Sequence, residues 1–120
     1  MDLSYPIGKF DFHQTVAPGQ LPGLVEQIAL APANFRAAVR GLNEPQLDTP
    51  YRPGGWTIRQ TVHHVADSHM NSFIRFRLAL TENEPSIKAY DQAAWGRLAD
   101  SRTAPVEASL EIIQNLHFRW

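Results

Sequence analysis

The sequence predicts an all-α protein, three long amphipathic helices packed as a bundle behind a non-helical N-terminal arm. Three observations carry this. Apolar residues recur at steps of three and four over 21–42, 58–80 and 106–120. Thr57-Ile58-Arg59-Gln60 is a capping box that marks where the central helix starts. No stretch shows the period-two alternation of a strand. At 120 residues, one domain covering 1–120 is expected.

Each element follows from local chemistry. Residues 1–20 carry Pro6, Gly8, Pro18 and Gly19 and no helical period, so they form an extended or looped arm. Its Tyr5, Ile7, Phe10 and Phe12 are apolar enough to lie across the core. The first helical stripe is Leu24, Ile28, Ala31, Phe35, Val39 and Leu42. Pro32 falls inside it, and a proline removes an intrahelical hydrogen bond, so a kink or two shorter helices are expected. Glu44-Pro45-Gln46 can start a single short turn. DTPYRPGG, residues 48–55, is a loop by composition.

From its Thr57 cap, the central helix runs to about Leu80 along Ile58, Val62, Val65, His69, Phe73 and Phe76. Asn83, Glu84 and Pro85 end it. Residues 86–104 are irregular with one short helix, Asp91 as its cap and Trp95 as its anchor to the core. Pro105 then opens a third long helix, whose stripe is Val106, Leu110, Ile113, His117 and Trp120. That stripe is still in phase at Trp120, with no capping glycine or breaker after it. Three such helices leave an apolar groove. An incomplete bundle is therefore expected, its groove covered by a further helix or a partner chain.

Composition narrows the function. Without cysteine there is no disulfide, thiolate metal site or cysteine nucleophile. A net charge of −1 argues against a nucleic-acid surface. No apolar run is long enough for a membrane span, and MDLSYPIGKF lacks the basic and apolar regions of a signal peptide. A cytoplasmic protein is expected.

Chemistry concentrates in Tyr51–Met70, which holds three of the five histidines. His63 and His64 are adjacent and cannot point the same way on a helix. His69 sits on the apolar stripe, where a hydrogen-bonded core histidine is the simpler reading. His64 shares a face with Asp67, Ser68 and Asn71, either plain solvent-exposed helix or the polar lining of a cavity, and periodicity does not decide between them. His64 and Asp67 at i, i+3 suit a metal ligand with its orienting carboxylate, or an ordinary surface hydrogen bond. No H-x-x-x-H pair is present. His117 points inward from the third helix, either as a satisfied core residue or as a lining of the same cavity. His13 reads as a solvated loop residue. Arg52, Arg59, Arg75 and Arg77 flank the central helix and read as solvated side chains rather than an anion site.

The words YRPGGWTIRQTVHHVADSHMNSFIRFRLALTENEP, IKAYDQAAW and LHFRW, with LSYPIGKF and QLDTPYR before them, resemble the YfiT-like branch of the DinB/YfiT family. The resemblance covers essentially the whole chain. It implies a four-helix bundle, of which these residues supply three long helices, and one divalent zinc or nickel ion held by three histidines. One of those histidines lies eight residues after the tryptophan of a W-T-x-R motif; with Trp56 in that place, it is His64. The other two come from an H-x-x-x-H on a fourth helix, which these 120 residues do not contain. Asp67 and His117 then become pocket residues. The implied activity is metal-dependent hydrolysis of a small molecule by a homodimer. Metal-dependent transfer of a thiol such as bacillithiol is the rival, and a non-catalytic self-associating module is a third reading.

Overall fold

A computed structural model describes residues 2–120. The described residues are helical, with one isolated bridge between Pro50 and Thr57 in place of any strand. Six helices follow in order: α1 Leu21–Val39, α2 Glu44–Leu47, α3 Ile58–Thr81, α4 Gln92–Gly96, α5 Ala99–Thr103 and α6 Val106–Arg119. A single 3-10 turn, Pro18–Gln20, leads into α1.

The long helices start and stop where their local chemistry directs. Thr57 accepts the Gln60 backbone N–H at 3.1 Å, and the Gln60 side chain accepts the Thr57 N–H at 2.9 Å, closing the box that opens α3. Asn43 and Gln46 build the same box at α2. Asp91 caps α4 through the Ala94 N–H at 2.9 Å. Pro105 stands one position before α6 as its N-cap.

α6 lies between the other two long helices and packs on both α1 and α3. The core forms on the α3–α6 seam, where Val62 and Ala66 meet Leu110 and Ile113, and Leu47 of α2 closes one end. On the α1–α6 side, Arg36 forks onto Glu107 at 2.7 and 2.9 Å. The first half of α1 is much more open, with Leu21, Leu24, Val25 and Ile28 exposed. Three long helices with an apolar groove are thus present as expected.

Four expectations are corrected. Tyr5, Ile7, Phe10 and Phe12 do not cross the core; all are exposed, Ile7 at 99%. Phe10 and Phe12 pack edge-on against each other instead, their centroids 5.0 Å apart. α1 is not two helices but continues through Pro32. The insertion holds two short helices rather than one. Trp95 does not anchor it, since the ring is 37% exposed and stacks on Tyr90. The anchor is a backbone group: Gly96 O accepts from Gln60 Nε2 of α3 at 2.7 Å, while inside the insertion Trp95 O accepts from the buried Ser101 hydroxyl at 3.0 Å and ties α4 to α5.

Candidate functional site

The loop before α3 delivers Trp56, and two turns of α3 later comes His64. Their ring centroids lie 4.7 Å apart, tilted by 51°. Gly96 of α4 backs the indole from another side. A Cβ there would stand 3.0 Å from three Trp56 ring atoms, so only glycine lets the α4 backbone come so close. Gln60 binds both ends of this arrangement, closing the α3 cap and holding the Gly96 carbonyl.

His64 is half-buried, and neither ring nitrogen has a protein hydrogen-bond partner among the described residues. Burial lowers its pKa and outweighs the opposing pull of Asp67. The ring is therefore neutral at pH 7 and offers a lone pair. Asp67, one turn further on, is pushed above the usual carboxylate range by burial and by Asp100, against the pull of His64 and His63. These are the attributes of a metal-ligating imidazole with a carboxylate at hand. The fit is to one corner of a site: among the described residues no group of three His, Cys, Asp or Glu side chains is placed to hold a metal.

His63, left without a role by its spacing, belongs to the structural core. Its Nε2 donates to Ala104 O at 2.9 Å, and Nδ1 accepts from the Ser109 hydroxyl at 2.6 Å. A carbonyl only accepts, so the tautomer is set by Ala104. Arg59 is also structural rather than solvated. It is 3% exposed, pairs with Asp48 at 2.8 Å and with Glu44, and donates to Ala104 O at 3.0 Å. Hydrogen bonding to Asp48 leads the causes that raise its pKa, with Glu44 adding to it against burial. Arg52 lies against the Tyr51 ring and Arg77 over Phe73.

His117 does face a histidine of α3, but the partner is His69 rather than His64. His69 Nδ1 and His117 Nε2 share a short hydrogen bond, and their centroids are 4.7 Å apart. His117 Nδ1 reaches across to Ile28 O of α1 at 2.9 Å. Trp120 stands edge-on to both rings, at 5.8 and 5.1 Å. Burial, then the neighbouring His117 and His64, lower the pKa of His69. Both rings line a groove of about 490 Å³ with Leu24, Ile28, Ser68, Ser72 and Trp120. Nothing in the spacing announced this pair, because its halves lie 48 residues apart on different helices.

Known proteins share this architecture and much of the sequence. "Putative metal-dependent hydrolase YfiT" of Bacillus subtilis (strain 168) is 49% identical over 120 residues, spanning all of this chain and 67% of that protein. A "Putative metal-dependent hydrolase" of Bacillus cereus (strain 03BB102) is 49% identical over 119 residues, spanning 99% of this chain and 68% of its own length. A solved structure of YfiT from Bacillus subtilis, described as having an unusual four-helix bundle topology, superposes with a TM-score of 0.93. It is 49% identical, and the match covers 100% of this chain and 69% of that one. The family model described as the DinB superfamily matches residues 27–120. With that match over most of its length, and with a helical architecture that agrees, this chain belongs to the DinB superfamily.

Proposed function

We propose that this chain carries part of a metal-dependent hydrolase centre, with His64 as a ligand of a single zinc or nickel ion and a small molecule as substrate. One observation carries the reading. His64 is a neutral, half-buried imidazole whose nitrogens have no protein partner, beside a carboxylate, in a chain 49% identical to proteins named as metal-dependent hydrolases. Imidazole nitrogen suits zinc and nickel alike. A divalent ion, when bound, supplies Lewis acidity that lowers the pKa of a water nucleophile.

The chain's own residues prepare that chemistry. Trp56 restricts the orientation of the His64 ring, and burial keeps the ring deprotonated. Asp67 stands one turn on, where it orients a neighbouring group or exchanges a proton at its carboxyl oxygen. Its raised pKa brings that exchange closer to neutral pH. No helix among the described residues is long and apolar enough to cross a membrane, so nothing in α1–α6 requires a lipid setting.

Metal content tests the assignment. Protein expressed from its gene should retain about one equivalent of zinc or nickel by elemental analysis. His64→Ala should lose most of it, while His13→Ala in the exposed arm retains it. Equal metal in the His64→Ala and parent proteins would refute the assignment.

A further inference from the structure

Gln60 closes the capping box of α3 with its side-chain oxygen, and that task does not require an amide. A glutamate in the same place accepts the Thr57 N–H as well, and its charge suits a helix N-terminus. What only the amide can do is donate. Gln60 Nε2 gives its N–H to Gly96 O at 2.7 Å while Oε1 takes the Thr57 N–H at 2.9 Å. A carboxylate has no proton to offer there.

The chain contains its own comparison. Gln46 closes the same kind of box at α2, accepting the Asn43 N–H at 2.9 Å. It is exposed, and among the described residues its amide nitrogen makes no hydrogen bond. At α2 the amide is unused; at α3 it reaches a second helix.

That reach matters because of what α4 touches. Among the described residues no other hydrogen bond joins α4 to α3. Trp95 turns to Tyr90 within the insertion, and its carbonyl is taken by Ser101 of α5. Gly96 backs the Trp56 indole, and the indole lies against His64. His64 stands four positions after Gln60, on the same face of α3. The contacts thus form a closed ring: Gln60 to Gly96, Gly96 to Trp56, Trp56 to His64, and one helical turn back to Gln60.

We propose that Gln60 is a positioning residue for the His64 imidazole. It holds α4 where Gly96 confines the indole against the His64 ring. The inference rests on His64 as a metal ligand and adds the group that aims it. The surroundings make Gln60→Glu a selective change. Asp48 and Arg102 line the same small hollow as Thr57 and Gln60. One oxygen of a glutamate keeps the Thr57 N–H, while the other is repelled by the Gly96 carbonyl and turns toward Arg102. The cap survives and the hold on α4 does not.

The experiment uses protein expressed from its gene. In Gln60→Glu the urea midpoint should move little, because the capping box is intact. Zinc affinity, read by competition with a chromophoric chelator, should fall about tenfold, the lower end of what groups behind a metal ligand contribute. In metal-free protein, the His64 ring C–H resonances should lose the displacement imposed by the indole ring current. Gln46→Glu, the same exchange at a box that holds nothing else, should change neither. Gln60→Glu and Gly96→Ala act through one contact, so their losses of affinity should overlap rather than multiply. A Gln60→Glu protein with the parent's His64 resonances and zinc affinity would overturn the proposal. Metal retained by His64→Ala would instead overturn the metal assignment, and the resonances of metal-free protein would still decide whether Gln60 aims the ring.

Discussion

Three histidines of α3 within seven positions do three different things, and contact rather than spacing separates them. His63 joins α3 to α6, with both ring nitrogens bonded and the ring buried. His63→Ala should therefore cost about 2–4 kcal/mol, from two buried hydrogen bonds and the void left behind. Urea unfolding would show this as a lower midpoint at an unchanged slope. A loss under 1 kcal/mol, on the order of a surface change, would contradict the role. The sequence did single out His64 and its face with Asp67, but periodicity left that face undecided between solvent and cavity. The structure half-buries His64 under Trp56, brought over it by a loop whose path no helical period describes. The roles of His63 and Arg59 were illegible for the same reason, since both converge on Ala104, more than forty residues away.

At the scale of elements, helix starts were the most legible feature. Capping chemistry is local: Thr57 with Gln60, and Asp91 with Ala94, each lie within four residues and act as their types suggest. The insertion was less so, because α4 is held by its backbone at Gly96 rather than by the tryptophan beside it. That gives Gly96 a definite weight. Gly96→Ala places a methyl 3.0 Å from the Trp56 indole, and the ring can yield only by shifting against its surroundings, His64 among them. The expected cost is about 1–3 kcal/mol of stability. Tryptophan fluorescence should shift with it, and metal affinity should fall. Gly19→Ala, which meets nothing within 4 Å, is the matched control. The exposure of the arm is not legible in the sequence, because apolar composition says nothing about whether a neighbouring surface is in reach.

For the molecule as a whole, α6 is the central member, and the core is concentrated on one of its two seams. Val62 and Ile113 are fully buried there, while the α1 side stays open at its first turns. Half-buried ionisable groups then make stability depend on pH. The folded pKa of His69 lies below its ordinary 6.5, chiefly through burial. Above about 6.5 neither the folded nor the unfolded chain protonates it, and the contribution is full. As the pH falls below that, the unfolded chain takes up the proton first, so stability declines until the folded value is passed. Asp67 runs the other way. Its folded pKa is above 3.8, so its contribution is full below that value and is lost as pH rises through the folded one. In chelator, the urea midpoint should fall between about pH 7.5 and about pH 5.5. The decline should be flatter in His69→Gln, and an unchanged slope would show that His69 is not the group responsible.

Pro32 gives the three-helix arrangement a hereditary signature. A proline inside a helix costs about 3 kcal/mol against alanine, so drift alone would tend to remove it. Here the Ile28 oxygen, which would ordinarily accept the N–H of residue 32 four positions on, accepts from His117 Nδ1 instead, and replacing the proline frees an amide that competes for it. Positions 32, 69 and 117 should accordingly be inherited together: lineages that replace the proline should also have released the histidine on α6, and then the one on α3. An alignment of relatives in which position 32 varies freely beneath an unchanged histidine pair would uncouple them.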